Sequence, residues 1–200
     1  RATAQGKFTG EITPILIEQK NGTIQFDKDE DISKIVQEKV PHLKPVFKEN
    51  GTITAANASN INDGAAVILL ASAKAIQEYD LKPLAKVIAY ADAAQVPEKF
   101  TTSPALAISK VLKKAHLSLA QIDFIEINEA YAAVILAHQK LLTLDMSKVN
   151  PYGGAIAIGH PLGASGARIL CTLTSVLQQE SGKYGVAAIC NGGGGATAVL

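Results

Sequence analysis

From residue 51 to its end this chain alternates apolar runs of strand length with stretches of helical periodicity. That alternation limits its fold more than any other feature. Residues 65–70, 85–90, 123–127, 185–190 and 196–200 have the length and composition of strands. Residues 72–79, 104–115, 130–144 and 164–179 carry the intervening helical patterns. In the second of these, Leu106, Ile108, Val111, Leu112 and Ala115 recur at helical spacing, and Ser103 with Pro104 supplies the start signal. Strands alternating with helices pack as a sheet with helices on its faces, so the expected class is a layered α/β domain.

Residues 1–50 have a different texture and are the most polar part of the chain. Residues 11–17 read as a strand, Asn21-Gly22 has hairpin-turn chemistry, and residues 23–26 supply the return strand. The charge run from Asp27 to Asp31 reads as a solvated loop, with Asp31 or Ser33 placed to cap a short helix. The chain opens on Arg1-Ala2-Thr3-Ala4-Gln5, with no initiator Met, and reads as the continuation of a longer polypeptide.

A formal net charge of +1 with scattered lysines gives no electrostatic footprint for nucleic acid. No window approaches the roughly 18 consecutive apolar residues of a membrane span. The two cysteines, Cys171 and Cys190, lie far apart in apolar surroundings. They point to a reducing compartment, the cytoplasm first and the mitochondrion as the alternative. His42, His116 and His138 have no Cys, Asp or Glu at metal-ligand spacing, so each reads as a surface or satisfied histidine and no metal-ligating side-chain set is expected.

The chemistry concentrates near the C-terminus in Asn128-Glu129-Ala130, Gly159-His160-Pro161 and Cys190-Asn191-Gly192-Gly193-Gly194-Gly195. Eleven of the sixteen glycines lie between Gly153 and Gly195, where the backbone can approach a ligand closely. A lone His160 would more often be structural. Here its loop leads into a helix N-terminus, where an imidazole can polarise a thioester carbonyl or take a thiol proton. Cys190 reads either as a small buried hydrophobe or, beside four glycines, as an accessible acid/base thiol. Asn128 is either a helix N-cap or an amide that holds a water in an oxyanion hole, and Glu129 either favours the helix dipole or orients His160. Cys171 reads as helix core, and Gly163, Ala164, Gly166 and Ala167 as a small-residue face for close packing. A two-step acyl transfer needs a second nucleophile, which these residues do not show.

These motifs resemble the C-terminal half of the thiolase family, specifically its short-chain, biosynthetic acetyl-CoA acetyltransferases. The likeness extends through Gly6-Lys7-Phe8, Glu11-Ile12, Asn57-Ala58-Ser59, Asn62-Asp63-Gly64, Phe100-Thr101-Thr102 and Gly163-Ala164-Ser165-Gly166-Ala167-Arg168. The resemblance implies two similar layered halves, with residues 1–50 as the tail of a loop domain and residues 51–200 as the second half. The nucleophilic Cys would belong to the N-terminal half, a required partner. It implies reversible condensation of two acetyl-CoA molecules to acetoacetyl-CoA and CoA, the alternatives being a degradative 3-ketoacyl-CoA thiolase or a silent CoA-binding subunit. By resemblance Cys190 shuttles the substrate proton, His160 and Asn128 form one oxyanion hole, and the Gly192 N–H serves a second. Phe47, Ala55, Ala58 and Ser59 fall on CoA-contacting positions, and Phe100, Ala130 and Tyr131 on the acyl-side wall. Tyr131 stands where Phe is commoner, and Tyr152 where Asn is commoner. No tightly bound cofactor is implied; CoA thioesters are the substrate, and a potassium ion is carried by some relatives near Ala55, Ala56, Ala58 and Ile156. A homodimer or homotetramer is the implied assembly.

Overall fold

The structure is a computed structural model that describes residues 1–200. The first elements are the hairpin β1 (Ile15–Gln19) and β2 (Gly22–Phe26), then the one-turn α1 (Asp31–Lys34) and α2 (Ala73–Glu78). There follow β3 (Tyr90–Ala94), α3 (Ser103–Lys114), β4 (Phe124–Ile127), α4 (Ala132–Leu142) and the one-turn α5 (Ala155–Ile158). The chain closes with α6 (Ser165–Gln179), β5 (Gly185–Cys190) and β6 (Gly195–Val199). The main sheet has the order β3-β6-β5-β4. β4 and β5 are parallel, and β6 is antiparallel to both of its neighbours.

Three layers result, as the α/β reading anticipates. Ile108, Val111 and Leu112 of α3 and Val134 and Ile135 of α4 pack on one face, against Ile125, Ile127, Val186 and Ala188. Ile169 and Leu173 of α6 cover the other face at Ala187. The period-2 alternation of β5 therefore feeds both layers, because successive side chains of a strand point to opposite faces. Leu106 departs from expectation: it lies off the buried face of α3 and is exposed, while Ala105 and Ala107 are buried. No helix is long and apolar enough to cross a membrane.

Several expected elements shift. Strand β1 begins at Ile15 rather than Glu11, and residues 85–89 precede the sheet, whose third strand starts at Tyr90, where Ala91 and Ala93 turn inward. Residues 65–70, expected as a strand, are extended but unpaired; Val67 is 87% and Leu69 82% exposed. A strand needs a neighbour for its ladder, and no other strand of the chain pairs with this run. Cys171 is correspondingly outside the core. Its thiol is half-buried and makes a long contact of 3.8 Å with Val67 O. The short helix at residue 31 is capped by neither expected side chain, since Glu30 is its N-cap. Asp31 instead accepts hydrogen bonds from Asn60 and Asn62 at 3.1 and 3.0 Å, so it anchors a loop rather than lying free in solvent.

The surface is too large for a self-contained unit. It measures 12866 Å², whereas a compact monomer of 20.9 kDa exposes about 9,000 Å². The excess is apolar in character and lies in residues 15–36 and 61–90, where Ile15, Leu16, Ile61, Val67, Leu69 and Leu70 face outward.

His138 is fully buried on α4, with Nδ1 bonded to Val134 O at 2.7 Å and no partner for Nε2. Burial lowers its pKa from 6.5. The unfolded chain therefore takes up this proton first as pH falls, and stability declines below pH 6.5. Urea denaturation across this range should show a flatter pH dependence in His138→Gln than in the parent; equal slopes would contradict the assignment.

Candidate active site

The parallel pair β4–β5 sets the site. Its register places Ile127 opposite Ala188, and Asn128 N donates to Ala188 O at 3.0 Å. Asn128 and Cys190 thus emerge at the C-terminal ends of adjacent parallel strands, the edge at which α/β sheets commonly build ligand sites. Asn128 is buried and does not cap a helix: the N-cap of α4 is Tyr131. The amide is left free to point into the site.

His160 arrives from the loop between α5 and α6. Its main chain is held by residues 60–62, with His160 N donating to Asn60 O at 2.8 Å and to Asn62 Oδ1 at 3.3 Å. Gly159, at φ +96°, makes this approach possible, since a Cβ there would lie 2.5 Å from Asn62 Oδ1. The ring spans two partners. Ser165 Oγ donates to Pro161 O at 3.0 Å, so at 2.6 Å it accepts from His160 Nδ1–H. That assigns the Nδ1–H tautomer and leaves an Nε2 lone pair, which accepts from Asn128 Nδ2 at 3.3 Å. Burial, followed by the Arg168 charge, lowers the His160 pKa, so the neutral imidazole is favoured. Asn128 Oδ1 is buried without a protein partner, as an amide that holds a water would be.

Cys190 ends β5 and is half-buried, and burial raises its pKa, keeping it a thiol. The turn after it is tied by Asn191, whose Oδ1 accepts from Gly193 N and Gly195 N at 3.0 and 3.3 Å. The Gly192 N–H makes no hydrogen bond within the protein and is available as a donor. Ser103 secures the far side of the turn. It does not cap α3, but donates to Gly194 O at 2.6 Å.

The expected CoA-side positions come together in part. The Phe47 ring meets Tyr131 edge-on at 5.5 Å, Ala58 bridges Tyr131, and Ser59 N and Oγ both donate to Ala130 O at 3.1 Å. Ala55 lies in the turn leading to that bridge. Phe100 sits in the 3-10 turn Pro97–Thr102, beside the Gly194 loop rather than in the Phe47–Tyr131 cluster. Sequence reasoning missed Ser165, Asn62 and Asn150. Asn150 mimics a strand neighbour: its Oδ1 accepts from Ile127 N at 2.8 Å and its Nδ2 donates to Ile127 O at 2.9 Å. Glu129 does not touch the His160 ring. It accepts from Asn150 Nδ2 and from Ile156 N, both at 3.1 Å, and so fixes the loop that carries His160.

The family descriptions "Thiolase, N-terminal domain" and "Thiolase, C-terminal domain" match residues 1–74 and 81–200. This chain belongs to the thiolase family. Acetyl-CoA acetyltransferase 1 of Arabidopsis thaliana is 53% identical over 196 residues, 96% of this chain and 47% of that protein. The crystal structure of the Bacillus anthracis acetyl-CoA acetyltransferase superimposes with a TM-score of 0.94 at 42% identity, covering 99% of this chain and 50% of the other. The Acat5 thiolase from Ascaris suum, solved in complex with coenzyme A, gives a TM-score of 0.87 at 44% identity, with 100% of this chain and 50% of the other covered. The chain thus spans about half the length of the thiolases it matches.

Asn150→Ala would leave the Ile127 N–H and C=O unpaired at a buried strand edge and remove one of the two hydrogen bonds on the Glu129 carboxylate. The expected cost is about 1–3 kcal/mol of stability, read from urea midpoints. A loss below a few tenths of a kcal/mol would show that Asn150 does not hold the strand end.

Proposed function

We propose that this chain is the C-terminal half of an acetyl-CoA C-acetyltransferase, which reversibly condenses two acetyl-CoA molecules into acetoacetyl-CoA and CoA. The observation that carries the reading is the Ser165–His160–Asn128 hydrogen-bonded line at the strand edge where Cys190 and the unbonded Gly192 N–H also emerge. The names of the similar proteins favour the two-carbon substrate, and the CoA complex of the Ascaris relative favours CoA thioesters.

The chemistry follows from the protonation states. The Nε2 lone pair of His160 accepts the proton of a cysteine thiol contributed by the N-terminal half, and that thiolate takes the acetyl group from acetyl-CoA, the departing CoA sulfur taking the Cys190 proton and leaving Cys190 as a thiolate. The Nε2–H so formed can then donate to an enolate oxygen, together with a water on Asn128. Cys190, as a thiolate, takes a proton from the methyl group of the second acetyl-CoA, and the enolate carbon attacks the acyl-enzyme carbon. The Gly192 N–H faces the oxygen that becomes negative, and collapse expels the nucleophile's sulfur. In reverse, the Cys190 thiol returns its proton to the departing enolate carbon. Burial holds Cys190 in its thiol form, so the site rests ready for thiolysis, and condensation should accelerate as pH rises and the thiol ionises.

The exposed apolar runs at 15–36 and 61–90 support the N-terminal half as an obligatory partner, within a dimer or tetramer of complete chains. A potassium ion belongs to this reading as well. The carbonyl oxygens of Ala55, Ala56 and Ala58 accept no hydrogen bond from the protein, as carbonyls that replace an ion's hydration shell would.

The test is acetoacetyl-CoA formation from acetyl-CoA by the complete polypeptide. The parent should turn over, with a higher rate on four-carbon than on long-chain 3-ketoacyl-CoA in thiolysis. His160→Ala and Cys190→Ala should each lose on the order of 10²–10⁴-fold. A preference for long chains would favour the degradative reading, and a complete polypeptide that binds CoA without turnover would favour the silent subunit.

A further inference from the structure

Behind the site lies a polar cluster that the proposed chemistry does not use. Glu126 is two residues before Asn128 on β4, so both side chains point to the face covered by α6. From α6 itself, Ser165, Arg168 and Thr172 share that face at helical spacing. Ser165 and Thr172 are both fully buried, as is Glu126. Arg168 Nη1 donates to Thr172 Oγ1 at 3.3 Å, and Thr172 Oγ1 donates to Glu11 Oε1 at 3.0 Å. Arg168 Nε, both Glu126 oxygens and Glu11 Oε2 are buried with no partner at all. No carboxylate lies within 4.0 Å of the guanidinium, for the three ion pairs of the chain are all elsewhere.

We propose that Arg168 is a positioning residue that acts on His160 through its charge, left outside any ion pair because Glu126 on the facing strand is held as the neutral acid. A half-buried arginine such as Arg168, with an ionised neighbour, would be a closed ion pair with little field left outside it. With a neutral neighbour, its field extends through the dry layer between α6 and β4 to the imidazole that Ser165 anchors one turn away. A positive charge there opposes protonation of His160 and so preserves the Nε2 lone pair that the proposed chemistry needs.

The groups facing Arg168 agree with this. Burial pushes the Glu126 carboxyl up to about 8, even though Arg168 pulls the other way and Glu129 and Glu11 add to the rise. Burial likewise raises Glu11 from the N-terminal segment and Asp29 from the loop after the hairpin, against the Arg168 charge that pulls both down, with Asp31 adding to the rise at Asp29. Cys171, on the same helix, is raised by burial and then by Glu11. Arg168 lowers His160 in second place after burial.

The inference rests on the thiolase reading for its kinetic readout, and on a spectrum that does not need activity. In the complete enzyme, the acid limb of kcat/KM for acetoacetyl-CoA thiolysis should move to higher pH in Arg168→Gln and return in Arg168→Lys. The infrared difference between the parent and Glu126→Gln should show a neutral carboxylic acid band at pH 7 that disappears as pH passes 8. A carboxylate band at pH 7, or an acid limb that is the same in parent, Arg168→Gln and Arg168→Lys, would overturn the proposal. Absence of thiolase turnover in the parent would instead defeat the functional reading, and the infrared band would still decide the state of Glu126.

Discussion

The parallel ladder between β4 and β5 is the constraint on which the site depends. Its last rung, Asn128 N to Ala188 O at 3.0 Å, brings an amide and a thiol to one edge without any contact between their side chains. Everything else is built to bring a histidine to that edge. Asn150 closes the free side of β4 as a one-residue strand, Glu129 links Asn150 to Ile156, and Asn62 grips the main chain at His160. The imidazole is then locked from both nitrogens. A bond from Nδ1–H to a hydroxyl already committed to Pro161 O dictates the tautomer, and leaves the lone pair on Nε2.

The layered class, α3, α4 and α6, and the two strands that end at Asn128 and Cys190 were legible in the sequence because each has a strong local period and its own caps or glycines. So were the three polar groups of the site, since each stands at the end of an apolar run among small residues. Legibility failed where structure is non-local. Residues 65–70 have every local property of a strand, but a strand is defined by a neighbour that this chain does not contain. Asp31 sits in a charge run that looks solvated, and its bonds to Asn60 and Asn62 join residues about thirty apart. Ser103 and Asn128 both look like helix caps, and both side chains are diverted to tertiary partners, Gly194 O and His160 Nε2. Capping propensity is a local preference that a buried hydrogen bond overrides.

The exposed apolar surface and the proposed site fall in different parts of the chain. The segments that expose most apolar area, around residues 15–36 and 61–90, lie mostly in the region matched by the N-terminal thiolase domain, residues 1–74. Asn128, His160 and Cys190, the groups proposed to do the chemistry, lie in the region matched by the C-terminal domain. The C-terminal unit is thus packed around its three layers, whereas the segment before it leaves most of its large apolar side chains exposed.

In the proposed chemistry Cys190 moves the substrate's carbon-bound proton while another cysteine carries the acyl group. Deuterium incorporation into the methyl group of acetyl-CoA in heavy water, with enzyme acetylation followed in parallel by mass, separates the two roles. The complete enzyme should do both, and Cys190→Ala should become acetylated yet leave the methyl hydrogens unexchanged. Methyl exchange at the parent's rate in Cys190→Ala would contradict it.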